Sequence, residues 1–122
     1  MDAASRILLV EDDPILRLGA AAVLADAGYE VLEAANADEA IAVLERETGI
    51  RLMISDIQMP GSLDGLKLAH AVRRRWPPVA VLLTSGRRTP EPEELPERVH
   101  YLPKPFAAPE LLAEVGQLAA AR

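Results

Sequence analysis

A chain of 122 residues, half of them apolar but only 3% aromatic, has the size of one compact domain whose core must come from Leu, Val, Ile and Ala. The formal net charge of −6 disfavours direct binding to a nucleic-acid backbone, and the absence of Cys excludes disulfides and thiolate metal sites. No apolar stretch reaches the roughly 20 residues of a membrane span, and the N-terminus lacks a basic lead-in to an apolar run, so no membrane segment and a cytoplasmic location are expected.

Short apolar runs alternate with helical patterns, the mark of an α/β protein with a parallel sheet. Ile7 to Val10 is continuously apolar, as a strand covered on both faces should be. Asp13-Pro14 opens the first helix, with Asp13 as N-cap and Pro14 at the first helical position. Ile15, Leu18, Gly19, Ala22 and Val23 are expected to share its apolar face, and Gly28 to stop it. Tyr29 to Glu33 reads as the second strand. Asn36 and Glu39 form a capping pair for a second helix that carries Ala40, Ile41 and Leu44 inward and ends at Gly49.

Leu52 to Ile54 reads as a third strand that runs into Ser55-Asp56. A loop over Met59 to Gly65 follows, and Asp64 can cap a third helix with Leu66, Ala69, His70 and Val72 inward. Trp76-Pro77-Pro78 breaks that helix, and the basic run Arg73, Arg74, Arg75 reads as its solvated, dipole-compatible end. Val79 to Leu83 is the most apolar strand. The stretch Arg87 to Arg98 holds Pro90, Pro92 and Pro96, which suppress a regular helix and leave at most a short turn near Glu93 to Glu97. Val99 to Leu102 is the fifth strand, and Pro109 starts a last helix with Leu111, Leu112, Val115 and Leu118 facing the sheet.

In such a sheet, ligands gather beyond the carboxyl ends of the strands. The chemically useful residues collect there: Glu11-Asp12-Asp13 after the first strand, Asp56 after the third, Thr84-Ser85 after the fourth and Lys104 after the fifth. Crowded carboxylates repel unless a cation intervenes. With no Cys and only His70 and His100, that cation should be oxygen-loving, Mg²⁺ or Mn²⁺. Asp56 can then attack phosphorus to form an acyl phosphate, with Thr84 and Lys104 on the other phosphoryl oxygens. Singly, each residue has an ordinary explanation: capping for the acidic run, a strand-end hydrogen bond for Thr84, solvation for Lys104, core packing for Tyr101. The joint pattern at four strand ends, in order, is what points to phosphoryl chemistry.

Leu8-Leu9-Val10-Glu11-Asp12-Asp13-Pro14, Ser55-Asp56-Ile57-Gln58-Met59-Pro60, Leu83-Thr84-Ser85-Gly86 and Leu102-Pro103-Lys104-Pro105-Phe106 resemble the hallmark segments of response-regulator receiver domains. The resemblance covers essentially the whole chain. It implies a doubly wound (βα)₅ fold of flavodoxin-like strand order 2-1-3-4-5, here with a short or irregular fourth helix. It further implies that Glu11 and Asp12 hold Mg²⁺, Asp12 directly and Glu11 largely through water. Asp56 would be phosphoacceptor and metal ligand, and Gln58 would offer its backbone carbonyl to the metal. Thr84 would be the switch hydroxyl, Tyr101 the switch aromatic and Lys104 the phosphate-binding lysine, with a cis Lys104-Pro105 bond. Asp13 keeps its capping role.

The sequence departs from the family in its loop over 59–65, one residue longer than usual, and in the proline-eroded fourth helix. Gln58 and Gly86 stand where the family tunes phosphate lifetime. The expected function is that of a single receiver domain over residues 1–122, standing alone in a two-component phosphorelay. It would not be an enzyme in its own right. It would take phosphate from a sensor histidine kinase or a histidine phosphotransfer protein and switch binding of a downstream protein that the sequence does not name. The rival reading is a phosphorylation-independent pseudo-receiver. A phosphatase of the same layout is disfavoured because Gln58 is not an acid and the chain leaves no room for a substrate cap.

Overall fold

The computed structural model describes residues 5–59, 63–87 and 89–120. Its elements are β1 (Arg6–Val10), α1 (Pro14–Asp26), β2 (Glu30–Ala34), α2 (Ala37–Arg46), β3 (Ile50–Asp56), α3 (Gly65–Arg75), β4 (Ala80–Ser85), a 3₁₀ turn (Pro92–Glu94), β5 (Val99–Pro103) and α4 (Ala108–Ala120). All strand pairs are parallel, in the expected order β2-β1-β3-β4-β5. No helix among the described residues is long and apolar enough to cross a membrane.

The continuous apolar strands are explained by the two-residue side-chain period. Leu8 and Val10, Met53, and Val81 and Leu83 point into one core layer with Ala40, Val43 and Leu44 of α2 and Leu68, Ala69 and Val72 of α3. Their neighbours Ile7 and Leu9, Leu52 and Ile54, and Ala80 and Leu82 point to the other face, against Leu24 of α1 and Leu111, Val115 and Leu118 of α4. The sheet is thus covered on both sides, and residues just past its strands emerge together at one edge.

The caps follow the sequence closely. Asp13 accepts from the amides of Ile15 (2.9 Å) and Leu16 (3.2 Å), Asn36 from that of Glu39 (2.9 Å) and Asp64 from that of Lys67 (2.9 Å). Glu39 reaches back to the amide of Ala35 (2.8 Å), one residue before the cap. Gly28 follows α1 with φ +100, a conformation that favours glycine. Gly49 is also left-handed, at φ +78, but α2 ends earlier, at Arg46 with Glu47 as its C-cap.

Three further readings are corrected. The expected apolar face of α1 is rotated: Ile15 and Leu18 are 79% and 69% exposed, and Leu24 is the buried anchor, flanked by Ala20, Ala21 and Val23. In α3, Leu68 is buried, whereas His70 is exposed and meets the Glu94 carbonyl at 2.9 Å. The proline-rich stretch forms only a short turn, as expected: a 3₁₀ turn at Pro92–Glu94 that overlaps the expected range, with Leu95 packed on the core behind it. The basic run is not uniformly solvated. Arg73 donates to the carbonyls of Glu97 (2.8 Å), Pro77 (2.6 Å) and Val79 (2.6 Å), and burial followed by the nearby Arg98 charge holds its pKa below the ordinary value. Arg75 pairs with Glu45 at 2.8 Å and lies 4.3 Å over the Trp76 ring. Pro60, Gly61 and Ser62 of the long loop lie outside the described residues.

At the opposite end of the sheet, Arg6 donates to Glu47 (2.9 Å), Glu30 (3.2 Å) and the Thr48 carbonyl. The hydrogen bond from Arg6 holds the Glu47 carboxyl below its ordinary value of 4.5. A carboxyl whose folded pKa is depressed contributes stability that is present above the unfolded pKa and lost as pH falls through the folded one. Stability should therefore decline as pH drops below 4.5. Urea unfolding at stepped pH should show that part of the decline removed in Glu47→Gln. An unchanged acid slope would show that the pair does not contribute.

Candidate functional site

The strand order brings distant residues together. β1 lies between β2 and β3, so Glu11 and Asp12, just past Val10, stand beside the end of β3, where Asp56 is the last residue. In the β3–β4 register Asp56 faces Thr84, and the Ile57 amide donates to the Thr84 carbonyl at 2.9 Å. β5 ends at Pro103 and delivers Lys104 to the same edge, and the Lys104-Pro105 bond that follows is cis.

Glu11, Asp12 and Asp56 each offer a carboxylate oxygen, and these oxygens lie within 4.8 Å of one another. Glu11 is buried, Asp56 half-buried and Asp12 exposed. The Lys104 ammonium bridges two of them, 2.9 Å from Glu11 Oε1 and 3.1 Å from Asp56 Oδ2. Burial pulls the Lys104 pKa down, but the hydrogen bonds to Glu11 and Asp56 outweigh it and leave the pKa raised. One ammonium thus stands against three carboxyl groups, a donor set of oxygens alone that suits a hard divalent cation. Asp13 serves α1 as cap and takes no place in the cluster.

The switch candidates sit one layer in. Thr84 is buried and faces an apolar groove between α1 and α4, shared with Lys104 and Phe106. The Tyr101 ring packs on the core, and its hydroxyl donates to the Ser85 carbonyl at 3.2 Å. The Lys104 amide donates to that same carbonyl at 2.9 Å. Gln58 lines the acidic depression with Glu11, Asp12, Asp56 and Lys104, and its amide donates to Asp56 Oδ1 at 3.3 Å.

Three residues at the site carried no role in the sequence reading. Arg17 donates to the Glu11 carbonyl at 2.6 Å and pairs with Glu33 at 3.2 Å, fixing the backbone beneath the acidic pair. Gly65 opens α3 so close to the acceptor strand that a Cβ there would lie 2.0 Å from the Asp56 carbonyl oxygen, and its amide donates to the Ile57 carbonyl at 2.8 Å. Ser85 donates its hydroxyl to Gln58 Oε1 at 2.6 Å and accepts from the Arg87 amide at 3.1 Å. Gly65 left a trace in the sequence, a glycine in a first helical turn where most residues would serve better. Ser85 stands in the sequence only as a polar residue at the end of β4, with its Gln58 partner in another loop, and Arg17 leaves no trace, because its partners come from β2 and the loop after β1.

Comparison with known proteins places this site in a family. A family model described as response regulator receiver domain matches residues 7–116. The sensor kinase CckA of Brucella abortus is 31% identical over 122 residues, covering 97% of this chain and 13% of that protein. The response regulator protein FleR of Pseudomonas aeruginosa is 38% identical over 112 residues, covering 89% of this chain and 23% of that one. The chain therefore spans less than a quarter of either curated relative. A response regulator receiver protein from Sinorhizobium medicae superposes with a TM-score of 0.89 at 30% identity, covering 97% of this chain and 96% of that one. The response regulator TrrA of Thermotoga maritima, solved in complex with Mg²⁺ and BeF, superposes at 0.80 with 30% identity over 93% and 98% of the two chains. With the family model matched from β1 into α4 and the fold shared with receiver structures, this chain belongs to the response regulator receiver domains of two-component signalling.

Proposed function

We propose that the domain accepts a phosphoryl group on Asp56 from a histidine kinase or a histidine phosphotransfer protein, in a Mg²⁺-dependent reaction, and thereby changes which protein it binds. The observation that carries this reading is the Lys104 ammonium shared between Glu11 and Asp56 beside the three-carboxylate cluster. Glu11, Asp12, Asp56 and the Gln58 backbone carbonyl would hold the ion, and Mn²⁺ would fit the same donors. Bound there, the metal supplies charge neutralisation at a phosphoryl oxygen.

The Asp56 carboxylate then forms the new O–P bond as the P–N bond of the donor phosphohistidine breaks, and the leaving imidazole takes up a proton. Lys104 shifts from the carboxylates onto a phosphoryl oxygen, and the Thr84 hydroxyl is drawn to another. Thr84 directly precedes Ser85, whose carbonyl holds the Tyr101 hydroxyl. Movement at Thr84 therefore bears on the aromatic ring, which is how a local charge would reach the surface near β5.

The donor's docking face is α1. Ile15, Leu16 and Leu18 are 79%, 51% and 69% exposed, and Leu16 borders both the acidic depression and the apolar groove. A helical donor laid on this apolar patch would present its histidine to Asp56. Such donors place the domain in the cytoplasm.

Incubation with acetyl phosphate and Mg²⁺, read by intact mass, should add one phosphoryl group, and Asp56→Asn should abolish the gain. An unmodified parent chain, or an unaltered gain in the variant, would refute the assignment. The phosphorylation-independent alternative draws on the 3₁₀ turn that stands between β4 and β5 in place of a full helix. It requires that Mg²⁺ show no affinity in the millimolar range.

A further inference from the structure

We infer that the apolar groove between α1 and α4 is a binding site for a small, uncharged aliphatic molecule carrying one hydroxyl or carbonyl group, and that its occupant opposes phosphorylation by engaging the Thr84 hydroxyl. The binding site stands on its own geometry. Its effect on phosphorylation rests on Thr84 answering to a phosphoryl group on Asp56.

The groove has a volume of about 620 Å³, within the range of small-molecule sites. Leu16, Gly19, Ala20 and Val23 of α1 line one side, and Phe106 and Leu111 the other. It is open because α1 carries small residues there: a Cβ built on Gly19 would meet nothing within 4 Å. From Leu16 to Val23 the helix rises about 10 Å, which gives an extended aliphatic chain room to lie along it.

The polar groups choose the head of the ligand. Thr84 is only 3% exposed and lines the groove, and its hydroxyl has no hydrogen-bond partner among the described residues. A buried hydroxyl without a partner is unfavourable, so a ligand group that bonds to it gains affinity from that bond. The other polar side chains lining the groove, Glu11 and Lys104, are paired with each other at 2.9 Å. They leave no uncompensated charge for a ligand to meet, and a charged head would be buried among apolar atoms without a counter-ion. The fitting ligand is therefore neutral, with its one polar group at the Thr84 end.

The Thr84 hydroxyl faces the groove, and reaching a phosphoryl oxygen at Asp56 means turning away from it. Ligand binding and phosphorylation are thus antagonistic. Phosphorylation weakens the ligand by the same factor by which the ligand disfavours the phosphorylated state.

Octanol is the probe, titrated into the protein and followed by calorimetry and by NMR shifts. One equivalent should bind saturably, with shifts centred on Ala20, Val23 and Leu111. Gly19→Leu fills the groove from an open position and should weaken binding by at least about tenfold. Thr84→Val keeps the shape without the hydroxyl and should weaken it about threefold to tenfold, the scale of one hydrogen bond. Octanoate should bind at least about tenfold more weakly than octanol. With acetyl phosphate and Mg²⁺, saturating octanol should slow phosphoryl uptake several-fold in the parent but not in Gly19→Leu, whose uptake without octanol should match the parent's. Absence of saturable binding, or equal binding in Gly19→Leu, would overturn the site. Dimerisation that is lost in Gly19→Leu would show that a second copy covers the groove, and would overturn it too. Bound octanol that leaves the uptake rate unaltered would overturn the antagonism. A parent that takes up no phosphate without octanol overturns the Asp56 reading and the antagonism with it, while the binding result stands.

Discussion

Gly65→Ala should cost at least about a hundredfold in the rate of phosphoryl uptake, because the added methyl cannot fit without moving the acceptor strand. A Cβ at this position would lie 2.0 Å from the Asp56 carbonyl oxygen and 2.8 Å from both the Asp56 carbonyl carbon and the Ile57 Cα. All three neighbours are backbone, so no rotamer change relieves the clash. Either α3 moves outward, breaking the 2.8 Å bond from the Gly65 amide to the Ile57 carbonyl, or Asp56 shifts from its place beside Glu11. Helix propensity works in the opposite direction, since Ala in a helix is worth about 1 kcal/mol over Gly. A net loss of roughly 1–3 kcal/mol in urea unfolding would therefore report overpacking. The controls lie in the same fold. Gly19 in α1 and Gly116 in α4 have nothing within 4 Å of a built Cβ. Alanine at either should stabilise by about 0.5–1 kcal/mol and leave phosphorylation alone. If Gly65→Ala takes up phosphate at the parental rate, the close approach has no bearing on the site.

Replacing Lys104 with Ala should move two observables in opposite directions. The ammonium is the positive group held between Glu11 and Asp56, at 2.9 and 3.1 Å. Its removal leaves their mutual repulsion to whatever cation is in solution, so Mg²⁺ should bind several-fold more tightly and raise the thermal unfolding midpoint by more than in the parent. Phosphoryl transfer should nonetheless slow by about 10- to 100-fold, the scale of one charge-assisted hydrogen bond lost from the incoming group. Metal titration by calorimetry and initial rates with acetyl phosphate separate the two effects. A variant that binds Mg²⁺ more weakly would mean that the lysine does not compete with the ion, and an unchanged rate would mean that it does not touch the phosphoryl group.

The features legible in the sequence are those written locally. Continuous apolar runs located β1, β3 and β4, because a strand buried on both faces needs no polar alternation, whereas the edge strands β2 and β5 carry Glu30, Glu33 and His100 among their apolar residues. Asp13, Asn36 and Asp64 announced three helix starts, because a cap bonds to amides within three residues of itself. The meeting of Glu11, Asp12, Asp56 and Lys104 could be anticipated because parallel strands all deliver their following residues to one edge. The orientation of α1 could not. Its segment Pro14–Asp26 is apolar on nearly every side, so periodicity offers no unique inward face, and the pattern that points Ile15 and Leu18 inward misses Leu24 as the anchor. The same excess of apolar residues is what leaves a patch beside the site. Arg73 was hidden for another reason: its acceptors are backbone carbonyls, which every residue has and no sequence pattern marks. The Ser85–Gln58 bond spans two loops, and its existence depends on distances of a few tenths of an ångström that only the packed fold sets.

The proline-rich stretch between β4 and β5 bears on how such a domain could change shape. Among its described residues, local backbone bonds run from Glu94 to Glu91 and from Leu95 to Pro92, with Val99 to Pro96 at its exit, while Pro90, Pro92 and Pro96 have no amide to donate. Repositioning a full helix would mean sliding a cooperative ladder against the core. Displacing this stretch opens separate contacts with no helical ladder behind them, among them His70 to the Glu94 carbonyl and Arg73 to the Glu97 carbonyl. Its amides should accordingly exchange with deuterium at low opening free energy, as a strap whose conformation is cheap to alter beside a sheet that is not.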